Sequence, residues 1–162
     1  MKENHVMMLW DFTHNDNSFL TMHEKGYPKL FSDPTFIVVW SQETYSPLGY
    51  CCYKDMGKYL LVGNIYVHPD HRKQGIFTSL RRFRCKLIQS MKKPAIGIMQ
   101  PLEGIDPMRI VKHITEKDTD IVKDYDCVKD IISEEDYESI NCHILVRYRE
   151  DFYAEEKTGK QN

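Results

Sequence analysis

The residues best placed to do chemistry lie between positions 67 and 93, where a strand pattern gives way to a polar loop and then to a helix pattern. Pro69 cannot donate a hydrogen bond to a sheet, and the loop closes on Gly75, which lets a backbone approach a ligand closely. A helix that starts after such a loop presents unpaired N–H groups and the positive end of its dipole at one point. The stretch therefore predicts an anion-binding site.

The charges of this stretch agree with that prediction. Between Arg72 and Lys93 there is no Asp or Glu, and the basic residues are Arg72, Lys73, Arg81, Arg82, Arg84, Lys86, Lys92 and Lys93. The whole chain of 162 residues has a net charge of −2, which argues against general nucleic-acid binding. A nucleic-acid surface on Arg81, Arg82, Arg84, Lys86, Lys92 and Lys93 remains an alternative, but a solvated helix face explains these residues more simply.

Two elements must hold this loop. The apolar runs 60–62 and 65–67 are rich in β-branched and aromatic residues, as in a central strand, and this strand should end at His68. After the loop, apolar residues recur at helical spacing, and they are Ile76, Leu80, Phe83, Leu87, Ile88 and Met91. They predict a long amphipathic helix, with Arg81, Arg82, Lys86 and Lys93 on its other side.

The order V-x-P-x-x-R-x-x-G-I, from Val67 to Ile76, resembles the acyl-CoA-binding signature of the GNAT acyltransferase superfamily. In that family Q/R-x-x-G-x-G/A follows a strand that ends near V-x-P, and Arg72 and Gly75 stand in register. The sixth position is usually Gly or Ala, whereas this chain has Phe77, whose bulky side chain must point away from the phosphates. The resemblance implies an α/β (α+β) fold of the GNAT type, with a mixed central sheet of about six or seven strands flanked by about four helices.

The resemblance also implies the activity, an N-acyltransferase that moves an acetyl group from acetyl-CoA to an amine by direct attack. The strand backbone would pair with the pantetheine amides through Ile65, Tyr66 and Val67. The loop and helix start would offer N–H groups to the diphosphate from Arg72, Lys73, Gln74, Gly75, Ile76 and Phe77, with Thr78 as a hydroxyl donor. The acceptor would be a small-molecule or peptide amine.

The catalytic acid and base stay unassigned. Family members often carry Glu or Asp on the fourth strand and Tyr on the helix after the fifth, but residues 59–67 hold no carboxylate and the helix predicted for 105–117 holds no Tyr. His113 on that helix could serve either role, although a lone helix His is more often a surface or packing residue. Further candidates are Tyr66, Tyr125, Glu103 and Asp106. The missing residues favour an alternative, a catalytically weak or inactive acyl-CoA-binding module with a regulatory or structural role.

The rest of the chain is predicted as one domain, residues 1–150, with a charged, frayed tail at 151–162. Apolar patterns predict strands at 6–12, 36–40, 48–53, 94–99, 121–128 and 139–148, with short helices within 13–34 and an acidic loop at 133–136. A glycine inside a strand pattern often marks a bulge, so Gly63 predicts either a bulge there or a glycine kept for close packing. The resemblance places that bulge beside the thioester.

The chain has five cysteines without C-x-x-C spacing, and no His stands at zinc-ligand spacing. We therefore expect no disulfide framework and no metal, with Cys51 and Cys52 as core thiols. No run approaches the roughly 20 apolar residues of a membrane helix, and the N-terminus lacks the apolar core of a signal peptide. These features predict a soluble cytoplasmic protein with no membrane contact, and the resemblance leaves a homodimer through edge strands open.

Overall fold

The computed structural model describes residues 4–11, 29–63, 65–99 and 118–154. The helix predicted for 105–117 lies outside the described residues, with the candidates His113, Glu103 and Asp106. Most of the segment 13–34, where short helices are predicted, also lies outside them.

The described strands form one mixed sheet. They are β1 (His5–Asp11), β2 (Thr35–Ser41), β3 (Pro47–Asp55), β4 (Leu60–Val62), β5 (Tyr66–Val67), β6 (Ala95–Met99), β7 (Thr119–Ile121) and β8 (Ile144–Tyr148). The strand order is β1-β2-β3-β4-β6-β8-β7, and β5 pairs with β3. All neighbours are antiparallel except β4 and β6, which are parallel. The predicted mixed α/β class is confirmed, with eight described strands, or seven if β4 and β5 count as one interrupted strand.

Three α-helices are described: α1 (Ile76–Met91), α2 (Glu134–Ile140) and α3 (Glu150–Ala154). Short 3-10 helices cover Lys29–Phe31, Pro69–His71 and Tyr125–Cys127. The predicted long helix is confirmed as α1, which connects the parallel strands β4 and β6 in the way a crossover unit requires.

The centre of the sheet is buried on both faces. On one face α1 packs through Ile76 and Leu80 against β2 and β3, and through Ile88 against β4 and β6. On the other face α2 contributes Tyr137 and Ile140 to a core built on the same strands. Because both faces are covered, the central strands are continuously apolar, as the sequence of β2 and β4 shows.

The sequence prediction for residues 121–148 is wrong in three places. The strand predicted at 121–128 ends at Ile121 and continues as the 3-10 helix Tyr125–Cys127. The acidic loop at 133–136 is the start of α2, because Ser133 caps the helix by accepting a hydrogen bond from the Asp136 N–H at 3.2 Å. The strand predicted from 139 begins only at Ile144, and Ile140 is buried as the last residue of α2.

Two further expectations need correction. The predicted tail begins inside α3, where Phe152 is 2% exposed and packs against Tyr148 with ring centroids 4.9 Å apart. The ordered domain therefore reaches at least Ala154, and residues 155–162 lie outside the described part. On α1, Phe83 is 38% exposed and is not a core residue.

Candidate functional site

The loop after β5 is held by a short chain of hydrogen bonds. His68 N–H donates to the Leu48 carbonyl at 2.8 Å, which fixes the end of β5 to β3. The His68 Nδ1 accepts from the Asp70 N–H at 3.2 Å and so caps the 3-10 helix Pro69–His71. The Arg72 Nε donates to the Val67 carbonyl at 3.1 Å, closing the loop onto the strand it leaves. The predicted loop is thus a fixed structure, and the Arg72 side chain is part of its support.

Two residues with left-handed backbone lead into α1. Lys73 has φ 63° and Gly75 has φ 80°. At Gly75 this conformation carries no steric cost because glycine has no Cβ. Successive reversals of this kind turn peptide N–H groups toward one side of the chain, where they can surround an anion. The loop geometry therefore agrees with the prediction of an anion site.

The N-terminus of α1 is open. Gly75 is the N-cap and supplies no side-chain cap, and the first turn holds no acidic residue. The helical ladder begins with the Ser79 N–H donating to the Gly75 carbonyl at 3.1 Å. The N–H groups of Ile76, Phe77 and Thr78 precede that bond, so the helix itself provides no acceptor for them. These N–H groups and the positive end of the dipole meet at the loop.

Phe77 stands where the family pattern has Gly or Ala. Its side chain is 53% exposed, whereas the neighbouring Ile76 is buried at 1%. The bulky ring therefore projects toward solvent while Ile76 anchors the helix start in the core. This orientation agrees with the expectation that Phe77 points away from a bound phosphate.

The predicted bulge lies between β4 and β5. Val62 pairs with Tyr53 and Tyr66 pairs with Tyr50, so three residues on this side face two residues of β3. The Gly63 N–H donates to the Cys52 carbonyl at 2.9 Å, and the regular ladder is then interrupted until Tyr66. The bulge is confirmed. Close packing also requires glycine here, because a Cβ on Gly63 would lie 2.6 Å from the Cys52 Sγ.

Beyond the bulge the sheet opens. β4 pairs with β6 from Leu60 to Val62, but in the described part of the chain β5 pairs with β3 and not with β6. The last residues of β6, Ile98 and Met99, pair with β8 instead. We call this the open end of the sheet, and the opposite end, where Leu60 pairs with Ala95, the closed end.

The alternation of an antiparallel ladder shows which backbone groups face the opening. Position 68 bonds to β3 through its N–H, and residues along such a strand alternate between facing the partner and facing away. Tyr66 therefore faces β3, whereas the backbone of Val67 faces the opening, where its carbonyl accepts from Arg72. Ile65 has the same parity as Val67. Of the three strand residues predicted to pair with a ligand, the geometry thus favours Ile65 and Val67 and not Tyr66.

The candidates for proton transfer in the described residues are weak. The Tyr125 hydroxyl donates to the Ile132 carbonyl at 2.9 Å, which makes it a structural group. The ring of Tyr66 packs against that of Tyr50, with centroids 5.7 Å apart, and burial raises the pKa of the Tyr50 phenol well above its usual value. Of the described residues between 60 and 99, one carries a carboxylate, Asp70, and its side chain is 82% exposed.

The two adjacent cysteines are core thiols, as predicted. Burial raises the pKa of Cys51 to about 11 and that of Cys52 well above its usual range. Both therefore stay protonated at neutral pH and are poor nucleophiles. Among residues 4–11, 29–63, 65–99 and 118–154, no group of three or more His, Cys, Asp or Glu is arranged to hold a metal.

A cavity of about 600 Å³ lies at the closed end, away from the loop. Both arginines of its lining are paired: the Arg147 guanidinium binds the Asp130 carboxylate at 2.6 and 2.8 Å, and Arg149 Nη1 lies 3.2 Å from Asp120 Oδ1. Because these charges already neutralise one another, size alone does not make this cavity the functional site. No described helix is both long enough and apolar enough to cross a membrane.

Sequence reasoning misses Arg84. The pattern places it with the exposed basic residues of α1, but its Nη1 donates to the Gly63 carbonyl at 2.7 Å. Its spacing of four from Leu80 and from Ile88, both buried, is the signal that could have found it.

Comparison with solved structures shows a shared fold. A putative acyl-CoA N-acyltransferase from Klebsiella pneumoniae subsp. pneumoniae is 10% identical with a TM-score of 0.54, and the match covers 88% of this chain and 97% of that one. A GNAT-family acetyltransferase from Staphylococcus aureus is 10% identical with a TM-score of 0.52, covering 88% and 98%. PaiA N-acetyltransferase from Thermoplasma acidophilum, in complex with coenzyme A, is 8% identical with a TM-score of 0.44, covering 70% of this chain and 59% of that one.

The comparison with curated proteins finds no significant match. The sequence profile of the Acetyltransferase (GNAT) family, by contrast, matches residues 5–90, more than half of the chain. This range contains β1 to β5, the loop and nearly all of α1. The chain belongs to the GNAT acetyltransferase family.

Proposed function

We propose that this chain is an N-acetyltransferase that binds acetyl-CoA at the open end of the sheet and transfers the acetyl group to a small-molecule or peptide amine. Acetyl-CoA is the cosubstrate that the family assignment supports. The observation that carries the proposal is the convergence of free helix N–H groups, left-handed loop residues and a stretch without acidic side chains beside a gap in the sheet.

The loop and α1 hold the diphosphate in this proposal. The N–H groups of Ile76, Phe77 and Thr78 point out of the helix start, and backbone N–H groups of the loop from Arg72 to Gly75 stand beside them. An anion there is favoured by hydrogen bonds and by the helix dipole together. The exposed ring of Phe77 leaves the backbone accessible.

The strand edge of β5 holds the pantetheine arm. Val67 and Ile65 present backbone groups to the opening, where no sheet strand of the described residues pairs with them. An extended ligand with amide groups can add to such an edge as a short strand would. The arm would thus run from the loop toward the bulge.

The acyl group would lie at the bulge. There a backbone N–H freed from the ladder can donate to the thioester carbonyl and stabilise the negative charge that develops on it during attack. The amine forms the new C–N bond, the C–S bond breaks, and coenzyme A leaves as the thiol after taking a proton. An acceptor with a pKa near that of lysine, about 10.4, must first lose a proton to a base or to water.

None of the described residues is a strong candidate for the base that receives this proton. Asp70 is exposed on the loop and lies on the phosphate side. His113 stays a prediction for this role. The alternative function, acyl-CoA binding without transfer, is supported by the scarcity of carboxylates among the described residues near the opening. The cytoplasmic location, a homodimer and the absence of nucleic-acid binding also stay predictions.

The first experiment is calorimetric titration with acetyl-CoA and with CoA, on the wild type and on Gly75→Val. A β-branched side chain at φ 80° forces the loop to rearrange and obstructs the approach of the phosphates. We expect micromolar binding by the wild type and a loss of at least about tenfold, or about 1.4 kcal/mol, in the variant.

Gly57→Val is the matched control. Gly57 also has positive φ, 91°, but it lies in the turn between β3 and β4, and a Cβ added there would have no neighbouring atom within 4 Å. It should cost stability and leave CoA affinity unchanged. No binding by the wild type contradicts the proposal. Binding without release of thiol from acetyl-CoA across a panel of amines supports the binding module instead.

A further inference from the structure

The five cysteines of the chain are free thiols, and they differ in exposure. Cys51 and Cys52 are buried, and Cys85 is partly buried. Cys127 and Cys142 are exposed. A thiol reacts with a substrate only if the substrate can reach it. The two exposed cysteines are therefore the candidates for thiol chemistry, and the side chain beside each of them decides between the two.

The two exposed cysteines have different neighbours. Cys142 Sγ lies 3.1 Å from His143 Nδ1, so the thiol can donate to this nitrogen whenever the nitrogen carries no proton. Cys127 Sγ lies 3.5 Å from a carboxylate oxygen of Asp124. An imidazole can take and return a proton near neutral pH, whereas a carboxylate is a far weaker base and its charge opposes a thiolate. Cys142 and His143 thus form a thiol–imidazole pair of a nucleophile and its base.

The turn that carries the thiol–imidazole pair is anchored on both sides. It follows α2, whose last residue, Ile140, is fully buried, and the His143 N–H donates to the Ile140 carbonyl at 3.1 Å. On the other side β8 begins at Ile144, and the next residue, Leu145, is buried. Core residues therefore hold the backbone of the pair in place.

The thiol–imidazole pair lies at the open end of the sheet. Gly97 pairs with Val62 on one side and with Val146 on the other, so these residues form one row across β4, β6 and β8. Toward the open end, the bulge follows this row on β4, and β8 reaches its first residue, Ile144, two positions past the row. The pair directly precedes Ile144. It is thus separated from the proposed acyl position by β6, and neighbouring strands lie about 4.8 Å apart.

We propose that Cys142 is a second acceptor of the acetyl group, which it takes from bound acetyl-CoA when no amine is present. His143 Nδ1 takes the thiol proton while the Cys142 sulfur forms a bond to the thioester carbonyl carbon. The bond from that carbon to the CoA sulfur breaks, and CoA leaves as the thiol with the proton that His143 returns. The products are acetyl-Cys142 and CoA. Because one thioester replaces another, the exchange needs no oxidant and no other co-reactant.

The proposal rests on the proposed function, because the acetyl donor is the acetyl-CoA proposed for the open end. His143 Nδ1 faces the thiol, so the imidazole is placed as a base for Cys142 and not for a free amine. Two properties separate this reaction from slow acetylation of any exposed thiol. It should occur at Cys142 and not at Cys127, although both are exposed. It should also proceed within one molecule, so its rate should not depend on the protein concentration.

The test incubates the purified protein with acetyl-CoA in the absence of an amine and follows the intact mass and the peptide masses over time. The wild type is compared with Cys142→Ala, with His143→Gln and with the matched control Cys127→Ala. Mild hydroxylamine, which cleaves thioesters but not amides, distinguishes an acetyl group on sulfur from one on a lysine. The Kd for CoA and the thermal unfolding of each protein are measured alongside.

In the wild type and in Cys127→Ala we expect one hydroxylamine-sensitive acetyl group, on Cys142, formed at a rate independent of protein concentration. His143→Gln should react at least about tenfold more slowly, because a positioned general base contributes about 10²–10⁴ in rate. Cys142→Ala should gain no thioester. All four proteins should bind CoA with Kd values within about twofold of one another, since the substituted side chains lie away from the loop.

Three results overturn the inference: equal acetylation of Cys127 and Cys142, a rate that rises with protein concentration, or an unchanged rate in His143→Gln. A wild type that binds CoA but gains no thioester also overturns the inference, while the proposed CoA site stands. A wild type that binds neither CoA nor acetyl-CoA overturns the proposed function and the inference with it.

Discussion

The open and closed ends belong to the same sheet, but they differ in how their charged side chains and backbone groups are paired. At the closed end, cations meet carboxylates: Arg147 binds Asp130, Arg149 binds Asp120, and Lys93 Nζ lies 2.7 and 2.8 Å from the two oxygens of Asp55. At the open end, the loop and the first turns of α1, from Arg72 to Arg84, hold no carboxylate, and β5 has backbone groups that pair with no described strand. The described cations of the closed end are paired with carboxylates, whereas the basic residues and backbone N–H groups of the open end fit the anion site that we propose there.

The same comparison shows why cavity volume does not point to the site that we propose. The 600 Å³ cavity belongs to the closed end, where the charges are already satisfied. The proposed site at the open end is instead a gap between two described strands beside the start of α1. Its binding capacity comes from backbone groups, which a search for side-chain clusters passes over.

We expect the largest difference between the two ends when one tightly packed glycine at each end is replaced by alanine. A Cβ on Gly49 would lie 2.9 Å from the Tyr66 carbonyl oxygen and 3.0 Å from Ile76 Cγ2, and a Cβ on Gly97 would lie 2.8 Å from Val146 Cγ2. Overpacking of this kind costs about 1–3 kcal/mol of unfolding free energy. We therefore expect Gly49→Ala and Gly97→Ala to destabilise the protein to a similar degree in urea unfolding.

The two variants should differ in their CoA affinity. Gly49 supports the start of α1, so Gly49→Ala should lift the helix and lower the affinity on the order of tenfold, or about 1.4 kcal/mol. Gly97 lies beside β8, away from the loop, so Gly97→Ala should leave the affinity unchanged. Equal affinities in the two variants, measured by titration calorimetry, would show that the helix start need not lie against the sheet.

A smaller effect is expected from the ion pair of the closed end. The Arg147 guanidinium lowers the pKa of Asp130 below its usual value of 3.8. The pair therefore stabilises the fold above that pH, and this contribution is lost as the pH falls from 3.8 through the lower pKa of the folded state. Asp130→Asn should reduce the unfolding free energy by less than about 1 kcal/mol at pH 7, because the carboxylate is largely exposed.

The difference between wild type and Asp130→Asn should shrink as the pH is lowered to about 3. Asp126→Asn, which removes a carboxylate that is 81% exposed, is the control and should change stability less. Both variants should bind CoA like the wild type at pH 7. A weaker CoA affinity in Asp130→Asn alone would show that the closed end influences ligand binding at the open end.

The smallest effect is predicted for Phe77→Ala, which restores the residue type of the family pattern. Because the ring is 53% exposed and projects from the helix start, its removal should change stability by about 0.5 kcal/mol or less. CoA affinity should change by less than about threefold, well under 1.4 kcal/mol. A tenfold gain in calorimetry would instead show that the ring obstructs the diphosphate.

The sequence predicts the open end well because its signals are local. Pro69 and Gly75 mark the two ends of the loop, β4 and β5 are continuously apolar, and the apolar residues of α1 recur at helical spacing. The bulge at Gly63 also follows from one residue type in a strand pattern. Here each local preference agrees with the final structure, so the sequence pattern predicts the strands, the loop and the helix correctly.

The second half is predicted less well because its signals conflict. Residues 133–136 look like an acidic loop, but Ser133 caps α2 and the acidic side chains lie at the positive end of its dipole. The alternation from Ile140 to Val146 is a coincidence across a helix end and a strand. Phe152 is hidden in a charged segment, and its burial depends on β4 and α1, more than 60 positions earlier in the sequence. Such long-range contacts leave no local pattern.

Arg84 illustrates the same limit at the site. Basic residues on a helix are normally solvated, and the sequence does not show that one of them lies above a strand with a free carbonyl. Arg84 contacts the Gly63 carbonyl, whereas Arg82 is exposed, and this difference depends on how α1 is oriented against the sheet.

The continuous helix from Ile76 to Arg84 also fixes a length. With a rise of about 1.5 Å per residue, the two positions are about 12 Å apart along the axis. In the proposed binding mode, α1 therefore holds the diphosphate site and the bulge at a fixed separation. Acyl donors too short to reach from one to the other, such as acyl phosphates, would then contact only one of the two at a time.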